Sequence, residues 1–133
     1  MLVRMDLARI IIVENGESQV IILKEHDGDR HFPILIGISE ALAIDRRLKG
    51  LKTMRPLTHD LMAAIIERLD ATLEKIVIND LRDHTFYAQL VMRRNGDVLE
   101  IDSRPSDAIA LGTAFETPIF VEDHVLREVC SDQ

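Results

Sequence analysis

An α+β fold on a largely antiparallel or mixed sheet, in a single domain spanning residues 1–133, follows from three features of the chain. The turn-forming pairs Asn15-Gly16, Asp27-Gly28 and Asn95-Gly96 punctuate runs rich in β-formers. Those runs come in groups, before and after a helical stretch, and do not alternate with helices one by one. The run from Thr85 has a period of two, with Phe86, Ala88, Leu90 and Met92 on one face and Tyr87, Gln89, Val91 and Arg93 on the other.

Taken in order, residues 7–13, 19–24 and 31–36 read as three antiparallel strands. A helix over 39–49 follows, with Ser39 as N-cap and Gly50 as its C-terminal stop. Thr58 caps a second helix whose Leu61, Met62, Ile65, Ile66 and Leu69 make one apolar face. Residues 73–79, 85–93 and 98–102 are three more strands. His84 occupies the turn between the first two of these, where histidine tolerates positive φ better than most residues. Pro105 suits the first turn of a third helix reaching about residue 115. A short strand over 118–121 and a short helix from Asp123 complete a fold with three main helices. Four of the five aromatic residues belong to the core and Tyr87 is the exposed one.

Composition narrows the function. No apolar run approaches the ~18 residues of a membrane span, and the start of the chain, with Asp6 close to Met1, lacks the build of a signal peptide. Cys130 is the single cysteine, so neither an intrachain disulfide nor a thiolate cluster forms. A cytoplasmic protein with no membrane partner is the expectation. The net charge of -7 argues against holding nucleic acid by bulk electrostatics. Charge is uneven, however. Arg46, Arg47, Lys49, Lys52 and Arg55 follow one another with no acid between Asp45 and Asp60. This segment reads either as a solvated helix end or as an edge that tracks phosphates.

Chemistry concentrates in two echoing stretches, Arg55-Pro56-Leu57-Thr58-His59-Asp60 and Arg104-Pro105-Ser106-Asp107. Each places Arg-Pro, a hydroxyl and a carboxylate at the start of a helix. Acids and hydroxyls suit that end, while arginine opposes its dipole and calls for a negative neighbour. That neighbour is either an adjacent aspartate, making a structural lock, or a phosphate. In the second case Arg55 and Arg104 clamp the phosphate, with Thr58 and Ser106 as helix-start hydroxyls beside them. Asp60, Asp102 and Asp107 then hold Mg²⁺ or Mn²⁺ or activate water, and His59 assists proton transfer. His59 and Asp60 diverge around the helix and do not form a dyad with each other. Catalytic glycine loops, nucleophile elbows and zinc-ligand spacings are absent from the sequence.

These stretches carry a family resemblance. Phe32-Pro33-Ile34, Ile36-Gly37, Glu40-Ala41, the two Arg-Pro motifs, Thr85-Phe86-Tyr87-Ala88, Ile101-Asp102 and Pro118-Ile119 occur in an order and spacing similar to the bifunctional nuclease domain family. The resemblance implies an α+β domain that associates as a homo-oligomer, a dimer, with nuclease activity on RNA and DNA. The recurrent polar positions of the family fall on Glu40, Arg55, Thr58, His59, Asp60, Asp102, Arg104, Ser106 and Asp107. One departure is Asp83-His84-Thr85, where the family usually has Asp-Gly-Thr. Two other functions compete with a metal-assisted nuclease: a non-catalytic homo-oligomeric module that binds an anion or an acidic partner, and a structural ion-pair network at a subunit interface.

Overall fold

Two hairpins rest on pairs of left-handed residues. Asp83 and His84 have φ of 48° and 67°, and Asn95 and Gly96 have 52° and 85°. Positive φ at both central positions matches the twist of the flanking strands. The Asp27-Gly28 turn is built differently. Neither residue has positive φ. Instead the Glu25 amide donates to the Arg30 carbonyl at 2.9 Å, Lys24 Nζ donates to the Gly28 carbonyl at 2.7 Å, and Arg30 Nε donates to Glu25 Oε1 at 2.6 Å. A carboxylate inside this turn replaces the left-handed backbone of the other two.

The computed structural model describes residues 1–13, 16 and 18–130, so Asn15 of the first turn pair lies outside the described residues. The elements are β1 (Leu2–Ile11), β2 (Gln19–Glu25), β3 (His31–Ile36), α1 (Ile38–Leu48), α2 (Thr58–Arg68), β4 (Thr72–Arg82), β5 (Thr85–Arg94), β6 (Asp97–Ser103), α3 (Pro105–Gly112), β7 (Ile119–Glu122) and α4 (Asp123–Cys130). One sheet runs β3-β2-β1-β7-β4-β5-β6. Two antiparallel meanders, β1 to β3 and β4 to β6, are stitched together by β7. It pairs antiparallel with β1 and parallel with β4, Ile76 opposite Ile119, which makes the sheet mixed.

The core lies between this sheet and the helices and includes Ile21, Leu23, Phe32, Ile44, Ile76, Ile78, Ile109, Leu111, Val121 and Leu126, all essentially out of solvent. α3 is the central helix, buried along nearly its whole length, packing on β4 and β5 with α1 and α2 against it. Gly112 permits this approach, because a Cβ there would collide with Ile76 Cδ1. Phe32 is buried and stacks on Phe86, while Phe86 and Phe115 pack on the core from its margin. Phe120 is half-buried under Lys75, and Tyr87 is exposed with Arg82 over its ring.

Several expectations need correction. α4 is as long as α3 and buries Val125 and Leu126, so there are four helices among the described residues and not three main ones. α1 starts at Ile38 with Gly37 at the N-cap, ahead of the expected Ser39. Leu57 is the N-cap of α2, and the Asp60 carboxylate accepts its amide proton at 3.0 Å, so Asp60 caps the helix where Thr58 was expected to. α3 ends at Gly112, because the chain there is pressed on Ile76 and turns away through Glu116, whose φ is 54°. Most consequential is the rotation of α2. Of the expected apolar face, Ile66 is buried and Met62 packs against the core, with Ala63 buried as well, whereas Leu61, Ile65 and Leu69 are exposed. α2 packs on α3 and β4 through its buried side, and the stripe of Leu61, Ile65 and Leu69 is left outward.

Candidate active site

The rotation of α2 decides where His59 points. Residues 59, 63 and 66 share one side of a helix, so burying Ala63 and Ile66 turns His59 inward toward α3. Its Nε2 lies 3.1 Å from Asp107 Oδ1 in the first turn of α3, and only 15% of its side chain is exposed. The two helix starts therefore converge. A carboxylate accepts and cannot donate, so Nε2 carries the proton and Nδ1 is the acceptor of the neutral ring.

Asp107 also holds Arg104. Nε of Arg104 donates to Asp107 Oδ2 at 2.9 Å, and Nη2 lies 2.8 Å from the same oxygen. Nη2 donates as well to Glu40 Oε1 at 2.6 Å. Glu40 is only 12% exposed, at the start of α1, and Arg104 is 67% exposed. Asp107 first and Glu40 second hold the guanidinium above even its ordinary high pKa, so its charge is permanent. Gly37 makes room for this pair, since a Cβ there would meet Glu40 Oε2 at 2.6 Å. Glu40, Arg104, Asp107 and His59 thus form one chain of contacts across the N-termini of α1, α3 and α2.

The other expected site residues divide. Asp60 binds Arg47 Nη2 at 2.6 Å in addition to capping α2. The expected Arg104–Asp107 lock is present, but Arg47, not Arg55, partners Asp60. Thr58 is exposed at the first position of α2. Ser106 is buried at 6% exposure in α3, so its hydroxyl does not face solvent beside Thr58. Arg55 is exposed, with its carbonyl accepting from Thr53 Oγ1 at 2.6 Å and its guanidinium unpaired among the described residues. Asp102 lies exposed on β6 opposite Gln89. Among the described residues no group of three or more His, Cys, Asp or Glu side chains is placed to hold a metal ion. Asp60 and Asp107 instead neutralise arginines, so the three aspartates do not fit a shared cation site in this arrangement.

Sequence reasoning missed two partners. Glu40 was marked as a recurrent polar position of the family but not as a partner of Arg104, although a Gly37-x-x-Glu40 start places a carboxylate where α1 begins. Arg47 was grouped with the basic segment, and nothing in the sequence distinguishes it from Arg46. A groove of about 980 Å³ runs beside the network. Ala110 of α3 and Ala114 just beyond it line the groove together with Ala43 and Arg46 of α1 and His59 and Ala63 of α2.

The model of the bifunctional nuclease domain matches residues 21–133, which takes in all three converging helix starts.

The chain belongs to the bifunctional nuclease domain family.

Two relatives in Mycobacterium tuberculosis, Uncharacterized protein MT1877 of strain CDC 1551 / Oshkosh and Uncharacterized protein Rv1829 of strain ATCC 25618 / H37Rv, are each 43% identical over 119 residues. The match covers 89% of this chain and 71% of each relative. The family match takes in every member of the Glu40–Arg104–Asp107–His59 chain and the groove beside it.

Proposed function

We propose that this chain is a nuclease that cleaves phosphodiester bonds in RNA, DNA or both, using the His59–Asp107–Arg104 network. The observation that carries the reading is that one carboxylate, Asp107, orients both an imidazole and a guanidinium. Nη1 of Arg104 is left for a phosphate oxygen, because Nε and Nη2 are taken by carboxylates. His59 Nδ1 accepts a proton from the attacking water as that oxygen bonds to phosphorus, the ester P–O bond breaks, and the leaving oxygen takes a proton from solvent. Asp107 fixes the tautomer and stabilises the imidazolium that forms. Glu40 keeps Arg104 extended toward the phosphate. Arg46, one of the bases lining the groove, leads the strand past His59. Titration with Mg²⁺, with Mn²⁺ and with EDTA decides whether either ion is required. The family resemblance supports work as a homo-oligomer, a dimer.

The test is cleavage of labelled single-stranded RNA and DNA by extensively purified protein beside His59→Gln purified identically. A general base of this kind contributes about 10²- to 10⁴-fold. A rate unchanged in folded His59→Gln sinks the assignment.

One observation favours a second reading. Two carboxylates hold Arg104, so its immediate surroundings carry a net negative charge. That weakens its attraction for phosphate and suits a structural lock of three helix starts in a non-catalytic anion- or partner-binding module. This reading expects Arg104→Ala to lower the melting temperature and expects no cleavage by highly purified protein.

A further inference from the structure

Two surfaces of the molecule are left incomplete, and their characters are opposite. The first is the segment that follows α1. Leu48, Leu51, Met54 and Leu57 are exposed, Leu51 at 60% and Met54 entirely. Between them stand Lys52 and Arg55, neither of which meets an acid among the described residues. The apolar character continues along α2 through Leu61, Ile65 and Leu69, at successive turns of one face. Isolated exposed leucines are ordinary, whereas a run of this extent marks an interaction surface.

The second surface is β6, at one edge of the sheet. Val98, Leu99 and Ile101 are exposed, and so are Glu100 and Asp102, which meet no base among the described residues. The opposite edge strand, β3, carries Pro33 and packs against α4. β6 has neither a proline nor a register shift against β5 to blunt it. Its acids oppose pairing with another β6, since like charges facing one another destabilise a ladder. They favour a basic, apolar partner, and the 48–57 segment has that composition.

We propose that the 48–57 segment of one copy of this chain docks against the β6 edge of a second copy. Leu51 and Met54 cover Leu99 and Ile101 on one face of β6, while Lys52 and Arg55 reach Glu100 and Asp102 on the other. Opposite charges around an apolar centre supply both burial and register. Arg55 and Asp102, the two charged motif residues whose side chains meet no partner among the described residues of one copy, are then completed by the neighbouring one. The inference does not rest on the nuclease reading, because the contact forms whether or not a phosphodiester is cut.

The experiment measures mass by light scattering and sedimentation across protein concentration, with circular dichroism to confirm folding. The charge-reversed pairs Lys52→Glu/Arg55→Glu and Glu100→Lys/Asp102→Lys are compared with the wild type and with all four changes combined. The wild type is expected to form an oligomer of the 15.1 kDa chain. Each pair should weaken it by about tenfold or more, and the combined variant should regain it, because an acidic segment then meets a basic edge. If a double variant fails to fold, Lys52→Glu and Glu100→Lys singly and together ask the same question. A wild type that stays monomeric overturns the proposal. So does a combined variant as dissociated as either pair, since the two surfaces would not be each other's partners. A monomer that binds phosphatidylglycerol vesicles or an oligonucleotide through Lys52 and Arg55 also overturns it, because the segment would serve that ligand instead.

Discussion

Gly37→Ala is a small change that the Glu40–Arg104 pair makes costly. Gly37 has an ordinary φ of -77°, so conformational freedom is not why glycine stands there. Space is the reason. An added Cβ would lie 2.6 Å from Glu40 Oε2, and ordinary contact begins at 3.4 Å. The carboxylate end is flexible and can retreat, but its other oxygen holds Arg104 Nη2 at 2.6 Å, and retreat carries that bond beyond hydrogen-bonding range. Glu40 is 12% exposed and Arg104 67%, so the pair is worth about 1 kcal/mol after screening. For a chain of this length that is about 3–5 °C in Tm. Urea unfolding of the wild type, Gly37→Ala, Glu40→Ala and the double variant isolates it. The difference between Gly and Ala at an N-cap is common to both backgrounds and cancels. Gly37→Ala should cost about 1 kcal/mol more in the wild type than in the Glu40→Ala background. Equal costs in both backgrounds would refute the steric argument and with it the claim that Glu40 positions Arg104.

Three further outcomes are expected. Gly112→Ala drives a methyl into buried Ile76 Cδ1 and should cost about 1–3 kcal/mol in thermal unfolding, with part of the loss recovered by Ile76→Val, which removes the colliding carbon. Asp60→Ala removes both the cap of the Leu57 amide and the partner of Arg47 and should cost about 0.5–2 kcal/mol, read from urea midpoints. Glu25 is held below the usual glutamate range chiefly by the Arg30 side-chain hydrogen bond. Its stabilising effect is therefore complete above the unfolded value, about 4.3, and is lost as pH falls through the folded one. Glu25→Gln should lower Tm near neutrality and flatten the acid limb of stability against pH, and an acid limb parallel to the wild type would contradict this.

Local chemistry made much of the architecture legible. Asn95-Gly96 and Asp83-His84 announce their hairpins through residues that accept positive φ, and Pro105 announces the start of α3. The alternation from Phe86 to Met92 places Ala88, Leu90 and Met92 in the core. α2 was misread for a physical reason. Its sequence carries apolar residues on two faces, and periodicity does not reveal that the side with Ala63 and Ile66 is buried while Leu61, Ile65 and Leu69 are left outward. That same ambiguity hid the direction of His59. The site was legible in part. The two Arg-Pro motifs marked the helix starts, and Arg104 does hold Asp107, but the contacts with Glu40 and Arg47 cross long stretches of sequence that no local pattern encodes. Asp60 and Asp102 looked like companions of Asp107 because each lies in or beside an Arg-Pro motif. In space, Asp60 faces Arg47 and Asp102 lies out on β6.

The central claim, that Asp107 and His59 act as one catalytic unit, is tested most directly by a double-mutant cycle on cleavage rate. Initial rates on labelled RNA and DNA are measured for the wild type, His59→Gln, Asp107→Asn and the double variant, each shown to be folded. Residues that act together are far from additive. Each single change should therefore abolish most of the activity, and the double variant should lose little more than either one. Losses that multiply would mean that the 3.1 Å contact between them is structural only, and cleavage retained by all four proteins would place the chemistry elsewhere.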